Sequence, residues 1–306
     1  MATEKRNIFK FTFQLLKTTI LEFINDNVIK YCAALAYYTI LSLAPLLLII
    51  ISLVGIFFGK AAVQGQVYAQ INQFVGNDEA TQIQDIIKNI QQNNHGLIAS
   101  VFGIIVFLIG ASGIFAEIQD SINIIWGYKS KPGAGLKNFI INRLLSFSMI
   151  ALIGFLLMVS LVMNALIDGL SAVIQQHFPG LSIYLLFILN NILTFGSLTV
   201  LFGIIFKVLP DARIKWKDIT VGAIVTALLF MFGKFVIGFY LGQGSMNTVF
   251  GGASSIIIMM LWIYYNAFIL YFGAEFTQVY VRATGGKIYP EDYAIEVKQN
   301  EIKINA

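Results

Sequence analysis

Charge is what this sequence has least of: only 12% of its 306 residues are Asp, Glu, Lys or Arg, against roughly 25% in an average soluble domain. So few polar side chains cannot cover a folded chain of this length, which excludes an ordinary water-exposed globule. Cysteine is nearly missing as well. Cys32 stands alone, so no intrachain disulfide forms and dithiol redox chemistry is excluded. Histidine is limited to His95 and His177. Neither has acidic or cysteine companions at metal spacing, and neither lies in a long apolar run, so no metal cage and no nucleophile–base–orienter set can be assembled. The expectation is a protein that is not an enzyme and carries no cofactor, with an intramembrane acid pair as the remaining enzymatic alternative.

Apolar sequence is what fills the space. Hydrophobic residues make up 58% of the chain, and the mean hydropathy is +0.78. A helix crosses the hydrocarbon core with about 20 mostly apolar residues, at about 1.5 Å per residue. Six stretches reach that length: Tyr31–Phe58, Leu97–Ala116, Leu144–Ile167, Leu181–Leu209, Ile219–Leu241 and Ser255–Val281. They are continuous runs rather than the alternating pattern of barrel strands, and a helix satisfies its own backbone in lipid. The expected fold is all-α: a polytopic bundle of six transmembrane helices forming one membrane domain over 1–306. Within it, 1–30 is a cytoplasmic amphipathic segment, 31–282 the bundle and 283–306 a polar cytoplasmic tail. The first apolar run is too long for a cleaved signal peptide and lacks a small-residue cleavage site, so it stays as the first span.

Basic residues are missing from alternate loops, and that sets the orientation. Of the 20 Lys and Arg, 17 fall before span 1, between spans 2 and 3, between spans 4 and 5, or after span 6. The opposite loops hold only Lys60 and Lys88. Loops rich in Lys and Arg stay cytoplasmic, which places both termini inside. The same bias accounts for the net charge of +4, so nucleic acid is not the expected partner; anionic headgroups are.

Ile8–Val28 reads as an interfacial amphipathic helix, with Phe9, Phe13, Leu16, Ile20 and Ile24 on one stripe and Lys10, Lys17, Glu22 and Asp26 elsewhere. Between spans 1 and 2, Lys60–His95 carries two apolar stripes, Val63-Val67-Ile71-Phe74 and Ile83-Ile86-Ile87-Ile90, separated by Gly76-Asn77-Asp78. This predicts an outer helical hairpin. Its stripes suit packing on the bundle or capture of an amphipathic ligand or envelope partner. The glycines of Gly242–Ser255 lack the Lys-Ser/Thr ending of a phosphate loop.

Ionisable residues inside spans are rare because burial is costly, so each is a candidate site. Lys234 lies about 27 Å along the fifth span from Trp216, in its outer half, where it either snorkels toward headgroups or binds an anionic ligand. Glu275 lies about 30 Å along the sixth span from Ser255, close to the inner face, so it does not pair directly with Lys234. At that inner level, Glu117, Asp120 and Asn123 recur at intervals of three, with Arg143 and Lys30 at neighbouring helix ends. A polar cluster of Glu117, Asp120, Glu275, Arg143 and Lys30 is expected there, either as structural salt bridges or as a gate. Asn190, Asn191 and Asn266 fall near mid-membrane and suit helix–helix hydrogen bonds worth about 1 kcal/mol each.

Four segments taken in order resemble one family: Ala33–Ile50 (AALAYYTILSLAPLLLII), Gly110–Gly127 (GASGIFAEIQDSINIIWG), Leu209–Val221 (LPDARIKWKDITV) and Phe250–Phe276 (FGGASSIIIMMLWIYYNAFILYFGAEF). Together they resemble the YihY/BrkB family of bacterial inner-membrane proteins. Lys234, Phe235 and Tyr240 fit its Lys–aromatic–Tyr pattern, while Phe250-Gly251-Gly252 stands where Tyr-Gly-Ser is commoner. The resemblance implies a six-helix protein of the bacterial inner membrane, in a family linked to envelope lipid export and serum resistance. The family has also carried the label ribonuclease BN, but a metal-dependent nuclease needs an inner carboxylate or histidine cage, which these residues do not supply. The expected function is transport or handling of an anionic lipid or other amphiphile without ATP hydrolysis. The alternative is a scaffold that binds envelope partners through the outer hairpin. Small residues in the spans suit a monomer or a dimer.

Overall fold

In the computed structural model the described residues are 8–75, 77, 80–85, 113–131, 144, 148–156, 182–241 and 254–297. They are mostly helical, in the order α1 (Ile8–Asn25), α2 (Val28–Phe58), α3 (Lys60–Val75), α4 (113–125), α5 (148–156), α6 (Ser182–Val208), α7 (Trp216–Leu241) and α8 (Ser254–Ala283). Four very short strands accompany them: β1 (Tyr128–Ser130), β2 (Ala212–Arg213), β3 (Tyr289–Pro290) and β4 (Ala294–Glu296). Helices α2, α6, α7 and α8 coincide with four of the long apolar runs. Among the described residues two stretches, Ile188–Val208 and Trp216–Val236, are long and apolar enough to cross a membrane. Most of the runs 97–116 and 144–167 lies outside the described residues. Of the expected hairpin, α3 and a helical piece at 80–85 are described; its remainder is not.

Helix boundaries follow local chemistry. Asn27 adopts a left-handed conformation (φ 52°), which asparagine tolerates better than most residues, and this breaks the chain between α1 and α2. Gly127 (φ 76°) ends α4, its N–H bonded to the Ile124 carbonyl at 3.0 Å. At the end of α8 the Gly286 N–H reaches back to Val281 O at 2.9 Å. Gly285 is left-handed at φ 75°, so this end has a Schellman-type cap.

Helix α8 is the organising element, packed against α1, α2 and α7, while α6 packs on α7. The α7–α8 contact is antiparallel and reciprocal. A Cβ on Gly222 would strike the Thr277 side chain, and a Cβ on Gly273 would strike Thr226. Each threonine hydroxyl donates to the carbonyl of the glycine one turn earlier, Thr226 to Gly222 and Thr277 to Gly273, both at 2.7 Å. Small residues here let the two backbones approach closely, the usual basis of helix association in lipid. The faces turned away from the bundle are apolar: Leu228, Phe232 and Phe235 on α7, and Ile56 and Phe57 on α2, are exposed, as suits contact with lipid.

Two features differ from the sequence expectations. The apolar stripe of α1 expected to be interfacial (Phe13, Leu16, Ile20, Ile24) is indeed exposed, but a second stripe, Leu15, Thr19 and Phe23, is buried against the protein. Leu15 joins Phe276 and Val279 of α8, and the Phe23 ring meets Phe268 edge-on at 4.8 Å. So α1 is clamped to α8 along one side. The polar tail also carries two short strands, over Tyr289–Pro290 and Ala294–Glu296. β4 pairs antiparallel with β1 (Lys129↔Ile295) and β3 with β2 (Arg213↔Tyr289). These strands tie the C-terminal segment beneath the end of the bundle where Lys129, Lys131, Arg213 and Lys215 gather, hereafter the basic end.

Candidate functional site

At the basic end the polar side chains converge on a residue outside the cluster expected from the sequence. Asp211, in the short connection from α6 to α7, is almost wholly buried. Gln119 donates to one of its carboxylate oxygens at 2.8 Å and Asn123 to the other at 3.0 Å. The Asp211 N–H in turn donates to the Asn123 side-chain oxygen at 2.8 Å, and its carbonyl accepts from the Glu291 N–H at 2.9 Å. One carboxylate therefore joins α4, the α6–α7 connection and the C-terminal segment. Two further links run beside it: the Trp126 indole N–H donates to Ala274 O at 3.0 Å, and the Tyr128 hydroxyl to Ile288 O at 2.8 Å.

The expected Glu117–Asp120–Asn123 face does not form. Residues three apart turn by about 300°, so Glu117 and Asn123 end up about 120° apart, whereas Gln119 and Asn123, four apart, differ by about 40°. Asn123 accordingly shares the Asp211 face with Gln119, Glu117 accepts a 3.4 Å hydrogen bond from Ser121, and Asp120 is exposed. Lys30 is exposed and Arg143 lies outside the described residues.

The connection is braced on its outside. Lys207 Nζ donates to Ile214 O at 2.6 Å, and the Arg213 guanidinium meets Glu291 at 2.7 Å and Asp292 at 3.1 Å. Burial, with the Asp211 and Glu291 carboxylates, pushes the Tyr293 phenol up to about 12, against about 10 in an unfolded chain. The folded state thus holds its proton more tightly, and stability present below about pH 10 should fall as pH rises toward 12. Tyr293→Phe is expected to flatten that loss, measured as the apparent Tm across alkaline pH.

Glu275 stands apart from this hub. It faces the end of α1, with Asp26 and Glu22 there and Arg282 of its own helix as its charged neighbours, and Arg282 bonds Glu22 at 3.0 Å. Lys234 is elsewhere again. The α7–α8 register pairs Gly222 with Thr277, Thr226 with Gly273 and Gly233 with Tyr265, so Lys234 lies about 15 Å along the axis from the level of Glu275. It is half-buried and continues the stripe Ala223, Ala227, Phe230, which packs inward, not the Phe232–Phe235 face. One turn below it, Phe230 touches Phe202 of α6 and Trp262 of α8 (ring centroids 6.0 and 6.1 Å apart), and Trp262 stacks on Tyr265. Lys234 thus lies one helical turn along α7 from an aromatic cluster where α6, α7 and α8 meet. Asn266 donates to Trp262 O within its own helix at 2.6 Å, Asn190 is exposed and Asn191 is half-buried. Among the described residues no group of three acidic, histidine or cysteine side chains could hold a metal ion.

A family model described as virulence factor BrkB matches residues 19–295. The chain is 26% identical to a UPF0761 membrane protein of Alteromonas mediterranea over 255 residues, covering 82% of each chain. It is 28% identical to one from Psychromonas ingrahamii, covering 88% of each, and 26% identical to one from Pseudoalteromonas atlantica, covering 83% of this chain and 81% of that one. No solved structure matches.

Proposed function

This chain belongs to the BrkB family of integral membrane proteins, and from that premise we propose that it binds and moves an anionic lipid or other anionic amphiphile of the bacterial envelope without ATP hydrolysis. In this reading six helices span the inner membrane, the basic end and both termini face the cytoplasm, and Lys60–His95 caps the outer face. The observation that carries it is the placement of Lys234. A lysine that merely snorkels would extend from the lipid-facing side of its helix; this one sits on the inward stripe above an aromatic cluster. Its ammonium would hold the anionic headgroup while the Phe230–Trp262–Tyr265 rings face the apolar part. The exposed apolar stripe of α1 supports a lipid-facing role for the N-terminal segment.

Loss of one charge-assisted hydrogen bond is worth about 1.5–3 kcal/mol, so Lys234→Ala is expected to weaken anionic amphiphile binding by about tenfold or more. The test reconstitutes the protein in liposomes and follows movement of a labelled anionic lipid between leaflets. Slower movement in Lys234→Ala supports the proposal, and undiminished movement removes Lys234 from it.

A further inference from the structure

Glu275 is the one acidic side chain of α8 in its buried half, and its surroundings do not suit a carboxylate. It is fully buried, no basic or amide group donates to either oxygen among the described residues, and the polar side chain nearest to bonding it is another carboxyl, Glu22. The charged groups that face it are Glu22 and Asp26 at the end of α1 and Arg282 on its own helix; α2 and α7 bring none among the described residues. Arg282 is already engaged with Glu22. Three carboxyls therefore converge around one committed cation. A carboxylate buried without a partner is far more costly than the neutral acid, and two like charges beside it add to that cost. The Asp26 carboxyl, outside the spans, is itself pushed up by burial and by Glu22, with Arg282 pulling the other way. The groups do not form a metal cage, so the cation that fits is a proton.

We propose that Glu275 is a proton-binding site at the joint between α1 and α8, carrying a proton while α1 is docked and releasing it when α1 swings away. The geometry supplies both parts of such a device. Left-handed Asn27 is a break between α1 and α2 about which α1 can pivot, and α1 is held by a narrow strip, chiefly Leu15 and Phe23 against Phe276, Val279, Phe268 and Phe272. On release, the O–H bond of Glu275 breaks, its electron pair stays on the carboxylate, and the proton passes by way of Glu22 or Asp26 to water at the basic end. Ionised Glu275 then repels both α1 carboxylates, so proton loss and undocking favour each other. None of this depends on Lys234 or on the identity of any cargo.

Infrared difference spectroscopy of the full chain in lipid vesicles, titrated from neutral to alkaline pH, tests it. The expected result is a protonated-carboxyl C=O band that disappears on titration and is missing throughout in Glu275→Gln. Asp26→Asn, which keeps Glu275, should move the midpoint of that loss to lower pH, because a neighbouring negative charge is gone. A Glu275→Gln spectrum identical to that of the unaltered protein, or an Asp26→Asn midpoint that does not move, would overturn the proposal.

Discussion

Asp211→Ala is expected to lower the stability of the protein by about 3 kcal/mol, since it strands the buried Gln119 and Asn123 amides at about 1–3 kcal/mol each. The mechanism is the lost acceptor, not a lost charge as such. Asp211→Asn keeps one side-chain oxygen and should therefore cost less than alanine. Once Asp211 is alanine, adding Asn123→Ala should cost less than it does alone, because the amide's bond to the carboxylate is already gone and only the one it accepts from the backbone N–H at position 211 remains to be lost; a double-mutant cycle reads this directly. Because Glu291 bonds the Asp211 carbonyl, the C-terminal strands should loosen as well. The checks are thermal unfolding in detergent and the rate of proteolysis within residues 286–297. Unchanged stability in Asp211→Ala would mean that the amides find other partners.

Gly222→Val carries the second large effect. Even a single Cβ at this position runs into the Thr277 side chain, whose hydroxyl is fixed on Gly273 O. Overpacking of this kind costs about 1–3 kcal/mol, and valine brings two further methyls into the same contact. Gly273→Val should behave alike against Thr226, since the pair is reciprocal. The diagnostic experiment is rescue: Gly222→Ala should be destabilising alone and largely restored by Thr277→Gly. The restoration is incomplete, because Thr277→Gly also removes the hydroxyl's hydrogen bond to Gly273 O. A Gly222→Ala protein as stable as the original would show that the two helices are free to separate.

The helices that shape this molecule were legible because their signal is long and local. Tyr31–Phe58, Leu181–Leu209, Ile219–Leu241 and Ser255–Val281 fall within a few residues of α2, α6, α7 and α8, each written as more than 20 mostly apolar residues. What escaped was either short or remote. Strands of two or three residues have no room for a period-two pattern. Gln119 and Asn123 meet Asp211 across 92 and 88 residues of chain, and nothing in the spacing along α4 shows which of its polar residues turn toward a distant loop. A signal for Asp211 was present all the same: an acid directly after Pro210, in a connection otherwise charged only by Arg213 and Lys215. The buried stripe of α1 was hidden by the stronger apolar stripe beside it, since Thr19 reads as polar until its hydroxyl is seen bonded to Leu15 O at 2.9 Å.

The central claim, that Lys234 and the aromatic cluster below it hold an anionic amphiphile, is tested most directly by native mass spectrometry of the gently extracted protein. Bound lipids would be identified in the original sequence and in Lys234→Ala. The account predicts one class of anionic lipid retained selectively by the original and lost from the variant. A protein that emerges bare, or holds only the bulk lipids of its membrane in both forms, would contradict it.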